Sequence, residues 1–347
     1  MTRFLLAAVF AVLVIAPASA QEAEPSFCVS AWFRSSEQPE GYDSLMSAAD
    51  VVDIVHPMWY APTDDGHVLA VNDSEDAAKL AAWREAGMLV IPSVFSTISL
   101  AIDTPEARAL HVAELAAIAE RMDYDGLDLD YEEFQARARE PFATFVEELA
   151  AALHANGRLL SVTVQAKTRE PGNDPGSASQ DWPRITAAAD YINIMTYDYT
   201  GRNSDPGPIS PTGWVVDVLS YADSITDLNT VHFGMPFYAY SWQRGNPPAR
   251  TTTWASIQPW IETFNVEVTR LPESGEGFID YKPRGLPRQV VVFNDAESVR
   301  ARMEAVLAAH PDVGGVSIWG VGGEDPAVWD VLADLRPAAC NTASRSS

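Results

Sequence analysis

Four carboxylates lie within eight residues of one short segment, which reads DGLDLDYE from Asp125 to Glu132. Acidic and apolar residues alternate in it as they do in a half-buried β-strand, so Asp128, Asp130 and Glu132 should project from the same face. Because like charges this close repel one another, we expect the pKa of at least one carboxyl group to be raised. Such a group is suited to general acid catalysis near neutral pH.

The same acidic run has other interpretations. It could be a solvated strand with a structural role, or its oxygens could bind a divalent cation. An EF-hand loop needs glycine at its sixth position, and Gly126 fits no such register. The spacing favours catalysis and leaves the other two roles open. Asp125 has the opposite strand parity, so we expect it and Gly126 to support the structure. The six histidines and two cysteines show no metal-site spacing, and we expect neither a metal nor a cofactor.

Eight runs of β-branched, aromatic or other apolar residues alternate with helical stretches along the chain. They cover residues 28–33, 51–60, 88–95, 126–131, 159–166, 191–197, 231–238 and 314–319. Several are apolar throughout, which is typical of parallel strands covered on both faces. The intervening stretches carry apolar stripes at helical spacing, as in Phe142, Phe145 and Leu149 after Pro141.

Eight such βα units predict an α/β fold of the (β/α)8 TIM-barrel type. The alternative is an open doubly wound sheet, but no glycine-rich phosphate loop follows an early strand. Barrel enzymes hold their catalytic groups at the carboxyl ends of the strands. Glu132, at the end of the fourth run, is therefore expected at the barrel mouth.

Residues 239–293 separate the seventh run from the next helix and are too many for a simple loop. They contain Pro and Gly breaks and strand-like pieces at 266–268, 277–281 and 289–293. We therefore expect a small α+β insertion next to the barrel mouth, within one catalytic domain over residues 21–347.

The net charge of the chain argues against some classes of partner, and its first residues indicate the compartment. The chain is 47% hydrophobic and has a formal net charge of −25, so it should be globular and should bind neither nucleic acid nor anionic membranes. Residues 1–20 combine Arg3, an apolar run and the ending Ala18-Ser19-Ala20, as in a secretory signal cleaved after Ala20. A membrane anchor is the alternative, but the apolar run is too short to span a bilayer. We expect a secreted or periplasmic protein without membrane insertion.

The two cysteines, Cys28 and Cys340, lie near opposite ends of the mature chain. In an oxidising compartment they could form a disulfide, which the adjacent ends of a closed barrel would favour. Two unrelated free thiols are the alternative.

The acidic segment resembles the DGxDxDxE signature of family-18 glycoside hydrolases, which include chitinases and endo-N-acetylglucosaminidases. Other segments are similar to family segments in the same order: MTYD at 195–198, FGMPFY at 233–238, FNDAES at 293–298 and GGVSIW at 314–319. The resemblance covers residues 27–336 and implies the same barrel. Two further segments, at 238–242 and 322–329, look most like the branch of bacterial spore-cortex and spore-germination hydrolases.

The resemblance implies substrate-assisted catalysis, in which the acetamide of the substrate is the nucleophile and an oxazolinium ion is the intermediate. Glu132 would protonate the glycosidic oxygen and then activate water. Asp130 would orient the acetamide, and Asp128 would share a proton with Asp130. Tyr197 would donate its hydroxyl to the acetamide oxygen.

Several other residues are candidates for binding the sugar. Asp198 would contact the sugar or Glu132, Met195 belongs to the same signature segment, and Trp319 would form an apolar floor. Aromatic residues near strand ends are equally compatible with stacking on sugars and with core positions. These are Trp59, Tyr60, Tyr238 and Trp242. Gln165 on the fifth run could also reach the cleft.

The leading hypothesis is a monomeric, retaining hydrolase of glycans that contain β-linked N-acetylglucosamine, such as chitin oligomers or peptidoglycan. A non-catalytic, lectin-like protein on the same scaffold is the second, although the presence of Glu132 argues against it. A metal-dependent glycosyltransferase is the third, and it would need a divalent ion.

Overall fold

The structure, a computed structural model, describes residues 26–34, 40–96, 101–132, 135–282, 284–285 and 287–341. The predicted signal segment 1–20 lies outside these residues. Within them, no helix has both the length and the apolar character that crossing a bilayer would require.

The described strands are numbered in chain order. They are β1 Cys28–Phe33, β2 Ile54–Pro62, β3 Val68–Ala70, β4 Leu89–Val90, β5 Ser93–Ser96, β6 Gly126–Tyr131, β7 Leu159–Gln165, β8 Tyr191–Met195, β9 Val231–Pro236, β10 Ala239–Gln243, β11 Arg250–Thr252, β12 Thr269–Arg270, β13 Gly277–Tyr281, β14 Gln289–Phe293 and β15 Gly315–Trp319.

The helices are numbered in the same way. They are α1 Gly41–Ser47, α2 Ala77–Glu85, α3 Pro105–Arg121, α4 Arg139–His154, α5 Pro175–Ala178, α6 Trp182–Ala188, α7 Thr212–Asp223, α8 Trp254–Phe264, α9 Ala296–Ala309 and α10 Ala327–Leu335. Short 3₁₀ helices cover Ala136–Ala138 and Leu228–Thr230.

Eight parallel strands close into a barrel, as the sequence predicted. The order is β1-β15-β9-β8-β7-β6-β5-β2, and pairing of β1 with β2 completes the ring. The third predicted strand, 88–95, is divided into β4 and β5, which both pair with β2. The break falls at Ile91-Pro92, where proline has no N–H to donate to the ladder.

The main hydrophobic core lies between the barrel wall and the surrounding helices. Helix α4 shows why the helical pattern was informative, because Phe142, Phe145 and Leu149 are all fully buried on one face. Pro141 lies in the first turn of this helix, where a missing N–H costs no intrahelical bond.

A second sheet forms the insertion expected at 239–293. It is antiparallel, with strand order β11-β10-β14-β13-β12, and helix α8 packs against one face. The expected strand piece at 266–268 is wrong: these residues precede β12 and help to cover α8 and the sheet through Val266 and Val268. Helix α8 itself was not predicted, because Pro259 lies in its interior.

The two ends of the described chain are tied together at the base of the barrel. Cys28 of β1 and Cys340, which follows α10, form a disulfide with Cα atoms 4.5 Å apart. The Arg336 guanidinium also donates to the carbonyl of Phe27 at 3.1 Å and to the Asp53 carboxylate at 3.0 Å. The last helix is thereby fixed to the first strand.

Candidate active site

The carboxyl ends of the barrel strands surround a cleft of about 690 Å³. The predicted site residues that line it are Asp130, Glu132, Gln165, Met195, Tyr197, Asp198 and Trp319. Its other lining residues, which were not predicted, are Trp32, Arg34, Met58, Phe95, Thr163, Ala166, Tyr199, Arg202 and Trp214.

Asp128 lies beneath the cleft floor and is fully buried inside the barrel. Its carboxylate accepts hydrogen bonds from side chains on four other strands. The donors are Trp32 at 3.2 Å, Ser93 at 2.7 Å, Ser161 at 2.7 Å, Thr163 at 3.2 Å and Asn193 at 3.3 Å. Asp128 is therefore held in one orientation directly below the next inward-facing carboxyl group.

That next group is Asp130, which is only 5% exposed. Its Oδ1 atom is buried and accepts no hydrogen bond from any described residue. Burial, followed by the negative charges of Glu132 and Asp128, raises the pKa of Asp130 well above its usual range, and the charge of Arg34 opposes this. The raised pKa expected for one carboxyl group of the acidic run therefore falls on Asp130.

Glu132 follows the last residue of β6 and is half-buried in the cleft wall. Its backbone N–H donates to the carbonyl of Ser96 at 2.8 Å, which continues the pairing of β6 with β5. Glu132 thus projects into the cleft on the same side as Asp130, as strand alternation predicts.

Tyr131, between these two carboxyl groups, points away from the cleft. Its ring stacks on Phe142 and Phe145, and its hydroxyl lies 2.5 Å from Nε2 of His111. Burial lowers the pKa of His111 to about 4, so the ring is neutral at higher pH. His111 Nδ1 donates to the carbonyl of Gly66 at 3.1 Å, which leaves Nε2 to accept from Tyr131. This anchor fixes the strand end that carries Glu132.

Tyr197 and Asp198 follow strand β8, which is separated from β6 by β7 alone, and they line the same cleft. Enclosure of Tyr197, together with the charges of Asp130 and Glu132, raises the pKa of its hydroxyl well above the usual range. Tyr197 therefore remains a hydrogen-bond donor at neutral pH. Asp198 has a φ of +55°, in the left-handed region that aspartate tolerates better than most residues.

The expected sugar contact of Tyr238 is wrong. Tyr238 is buried and its hydroxyl donates to Oδ1 of Asp198, while Tyr240 donates to the same oxygen at 2.7 Å. The sugar contact expected for Trp242 is wrong as well. Trp242 is fully buried under the insertion sheet and donates to the carbonyl of Ser204 at 2.9 Å. Tyr238 thus orients the exposed cleft residue Asp198. Trp242 fixes the loop that follows Asp198, through its hydrogen bond to Ser204.

The sugar contacts expected for Trp59 and Tyr60 are also wrong. Met58 faces the cleft, so the alternation of β2 turns Trp59 outward against Trp83. The register of β2 against β5 shifts between Met58 and Tyr60, and this bulge turns Tyr60 outward too, where its hydroxyl lies 2.9 Å from that of Tyr124. Both side chains belong to the core between barrel and helices.

Asp125 and Gly126 lie at the start of β6 and contact the two neighbouring strands of the barrel wall. The Asp125 carboxylate accepts the backbone N–H of Val90 at 2.8 Å. A Cβ atom on Gly126 would lie 2.3 Å from the carbonyl oxygen of Leu159, so only glycine fits there. In the described part of the chain, no group of three or more His, Cys, Asp or Glu residues is arranged to hold a metal ion.

Some of the cleft residues that were not predicted could have been found from the sequence, and others could not. Arg34 directly follows β1, so the rule that strand ends face the cleft would have found it. Tyr199 is 58% exposed and packs on Trp214 with ring centroids 5.2 Å apart, which forms an aromatic wall. Trp214 lies on α7, away from any strand end, and only the folded structure brings it to the cleft.

The chain is similar to known proteins in both sequence and fold. The sequence profile described as glycosyl hydrolases family 18 matches residues 88–324. The uncharacterized glycosylase YvbX of Bacillus subtilis (strain 168) is 24% identical over 220 residues, or 63% of this chain and 63% of that protein. The cortical fragment-lytic enzyme of Bacillus anthracis is 25% identical over 227 residues, or 64% and 52%. The match thus spans less than two thirds of either relative.

Solved structures have the same fold. A chitinase from Chromobacterium violaceum ATCC 12472 superposes with a TM-score of 0.83 at 24% identity, covering 90% of this chain and all of that one. The Bacillus cereus spore cortex-lytic enzyme SleL gives a TM-score of 0.79 at 19% identity, covering 90% and 75%. The family that the sequence motifs predicted is thereby confirmed. Because the profile match spans more than half of the 347 residues, the chain belongs to glycosyl hydrolases family 18.

Proposed function

We propose that the protein is a glycosidase that hydrolyses glycans containing β-linked N-acetylglucosamine, with retention of configuration. The observation that carries the proposal is the pair formed by Asp130 and Glu132 on one wall of the cleft. One of these groups is buried with a raised pKa and an unpartnered oxygen, and the other is accessible to a substrate. Two carboxyl groups in unlike environments are suited to different tasks in one reaction.

In the first step, Glu132 donates a proton to the glycosidic oxygen and the bond between that oxygen and C1 breaks. The carbonyl oxygen of the 2-acetamido group attacks C1 and closes a positively charged oxazolinium ring. In the second step, Glu132 takes a proton from water, whose oxygen attacks C1 and reopens the ring. The two displacements at C1 restore the original configuration.

Asp130 and Tyr197 would hold the acetamide in the geometry for attack. The free Oδ1 of Asp130 accepts the acetamide N–H, and the protonated Tyr197 hydroxyl donates to the acetamide oxygen. Asp128, fixed by its five donors, keeps Asp130 in place and adds negative charge beneath the developing cation.

Aromatic surfaces in the cleft suit a sugar substrate. The rings of Trp32 and Trp319 meet edge to face with centroids 6.2 Å apart and form the apolar floor. Tyr199 and Trp214 provide a second aromatic surface on the wall. Sugar rings present C–H faces to such surfaces while their hydroxyl groups remain free for hydrogen bonds.

We further propose that the natural substrate is a chitin oligomer or peptidoglycan and that the protein is an exported monomer. The support for export is the N-terminal pattern together with the disulfide between Cys28 and Cys340, because disulfides persist in oxidising compartments. Mass-spectrometric analysis of products from chitin oligomers, peptidoglycan and N-glycans would identify the substrate class.

The test of the reaction is Glu132→Gln, which keeps the shape of the side chain and removes its acid–base function. We expect kcat on an N-acetylglucosamine oligomer to fall by about 10²–10⁴-fold. The matched control is Glu120→Gln, an exposed position on α3, which should keep full activity. Equal activity of Glu132→Gln and the wild type would refute the assignment. Formation of the β-anomer as first product, observed by NMR, tests retention.

Binding and metal-removal measurements distinguish this hydrolase from a lectin-like protein and from a metal-dependent transferase. Oligosaccharide binding by the wild type without any turnover would favour a lectin-like protein. Loss of activity in EDTA would favour a metal-dependent transferase.

A further inference from the structure

A second, smaller pocket of about 240 Å³ lies on the insertion, between helix α8 and the sheet. Its floor is formed by Ile257 and Val291, both buried. Its wall residues are Ser241, Thr252, Ser256, Trp260 and Gln289.

This pocket opens on the face of the insertion sheet that points away from the catalytic cleft. Side chains alternate along β10, so Tyr240 and Trp242 face one way and Ser241 the other. Tyr240 and Trp242 belong to the cluster that includes Tyr197 and Trp319 at the barrel mouth. The pocket at Ser241 is therefore distinct from the cleft.

The chemistry of the pocket is that of a site for a neutral sugar. The half-buried ring of Trp260 is held edge to face by Tyr281, with centroids 5.4 Å apart, and by Phe264, at 5.8 Å. Hydroxyl and amide groups surround this fixed aromatic surface, and every lining side chain in the described part of the chain is uncharged. Although the chain has a net charge of −25, the pocket has no charged side chain among its described lining residues that could bind an ion.

The size of the pocket limits its ligand. Sites for drug-sized molecules occupy about 300–1,000 Å³. A pocket of about 240 Å³ suits a single sugar unit, either a chain end or one residue of a passing polymer.

We propose that the pocket between α8 and the insertion sheet is a non-catalytic binding site for a neutral β-linked N-acetylglucosamine chain. The choice of sugar rests on the proposed function, whereas the pocket and its uncharged, aromatic lining do not. A chain held at this second site raises the local concentration of polymer at the cleft, which benefits long substrates and leaves short ones unaffected.

The test measures retention of the full-length protein on insoluble chitin in a Glu132→Gln background, where turnover of the polymer is strongly slowed. Trp260→Ala removes the aromatic surface, and Thr252→Arg fills the pocket from the edge strand β11 without removing a core side chain. Thr263→Arg adds the same charge and bulk at an exposed position on α8 and is the matched control. We expect the first two changes to weaken retention by about tenfold or more, and the control to match its parent.

A second readout uses the same changes with Glu132 intact. We expect Trp260→Ala and Thr252→Arg to keep the wild-type kcat/KM on a short N-acetylglucosamine oligomer and to lose activity on the polymer. Unchanged retention in both variants, equal losses in Thr252→Arg and Thr263→Arg, or a parent that is not retained at all would each overturn the second site. A wild type that cleaves no oligomer refutes the proposed function, while the retention measurement still decides the second site.

Discussion

Glu276 of the insertion and Arg302 of helix α9 form an ion pair in which neither side chain is accessible to solvent, with Arg302 Nη2 and Glu276 Oε1 3.3 Å apart. Burial lowers the pKa of the Arg302 guanidinium, and the negative charge of Glu276 opposes this. Glu276 also accepts the backbone N–H groups of Ile209 and Ser210, at 2.9 and 3.1 Å. One buried carboxylate thus joins the insertion, the loop after β8 and the barrel.

Replacing Glu276 with Gln should destabilise the protein strongly, because Arg302 would then be a buried charge without a counterion. Breaking one partner of a buried pair costs about 3–5 kcal/mol. Chemical denaturation would measure this loss. Adding Arg302→Met in the same chain should restore part of the stability, since the unpaired charge is then absent. A single Glu276→Gln loss under about 1 kcal/mol, within the range of exposed pairs, would contradict this account.

The two tyrosine hydroxyls on Asp198 give a prediction about activity. Tyr240→Phe removes the donor at 2.7 Å and leaves the ring in place. If Asp198 acts in the cleft, kcat/KM should fall by about tenfold, as expected for a hydrogen bond to a charged group worth about 1.5 kcal/mol. Steady-state kinetics on an N-acetylglucosamine oligomer would measure this.

The matched control for Tyr240→Phe is Tyr221→Phe. The Tyr221 hydroxyl also donates to a carboxylate, that of Glu170 at 3.0 Å, but these residues do not line the cleft. Both changes should lower the Tm slightly, and only Tyr240→Phe should lower kcat/KM. Equal activity of the two variants would show that the geometry of Asp198 is unimportant for turnover.

Asp130 should make stability depend on pH in a specific direction. Its pKa is raised in the folded protein, so above the ordinary value of about 3.9 the unfolded chain releases a proton that the native chain retains. Native stability is therefore lost as pH rises from that value towards the raised pKa. Asp130→Asn removes this titration and should raise the Tm relative to wild type more at pH 7 than at pH 3, while lowering glycosidase activity.

Thermal unfolding of wild type and Asp130→Asn across this pH range tests the sign. Asp50→Asn is the control, because it makes the same chemical change at an exposed position outside the cleft. A difference between Asp130→Asn and wild type that shrinks with increasing pH would contradict the assignment of a raised pKa.

The barrel was predictable because its strands and helices carry short-range patterns. Parallel strands buried on both faces are apolar runs, and the Phe142 and Leu149 stripe matches the period of a helix. Helix α8 was missed because Pro259 in its interior argues against a helix. Its apolar residues Trp254, Ile257 and Ile261 nevertheless recur at helical spacing and pack on the insertion sheet.

Which carboxyl groups face the cleft was predictable from the alternation of side chains along β6. Asp130 and Glu132 face the cleft as their spacing requires. The sugar contacts predicted for Trp59 and Tyr60 are wrong because an aromatic residue near a strand end can lie on either face of the strand. The bulge in β2 also alters the alternation of side chains there. The aromatic surface formed by Tyr199 and Trp214 was missed because Trp214 belongs to helix α7, which begins well after the end of β8 in the sequence.

The disulfide between Cys28 and Cys340, which have a sequence separation of 312, makes the fold covalently circular over almost its whole described length. A protease that cuts one surface loop inside this ring does not separate the molecule into two pieces. The nicked product keeps its mass on a non-reducing gel and divides into fragments only when the bond is reduced. One cleavage inside the ring therefore leaves the barrel strands covalently connected to one another.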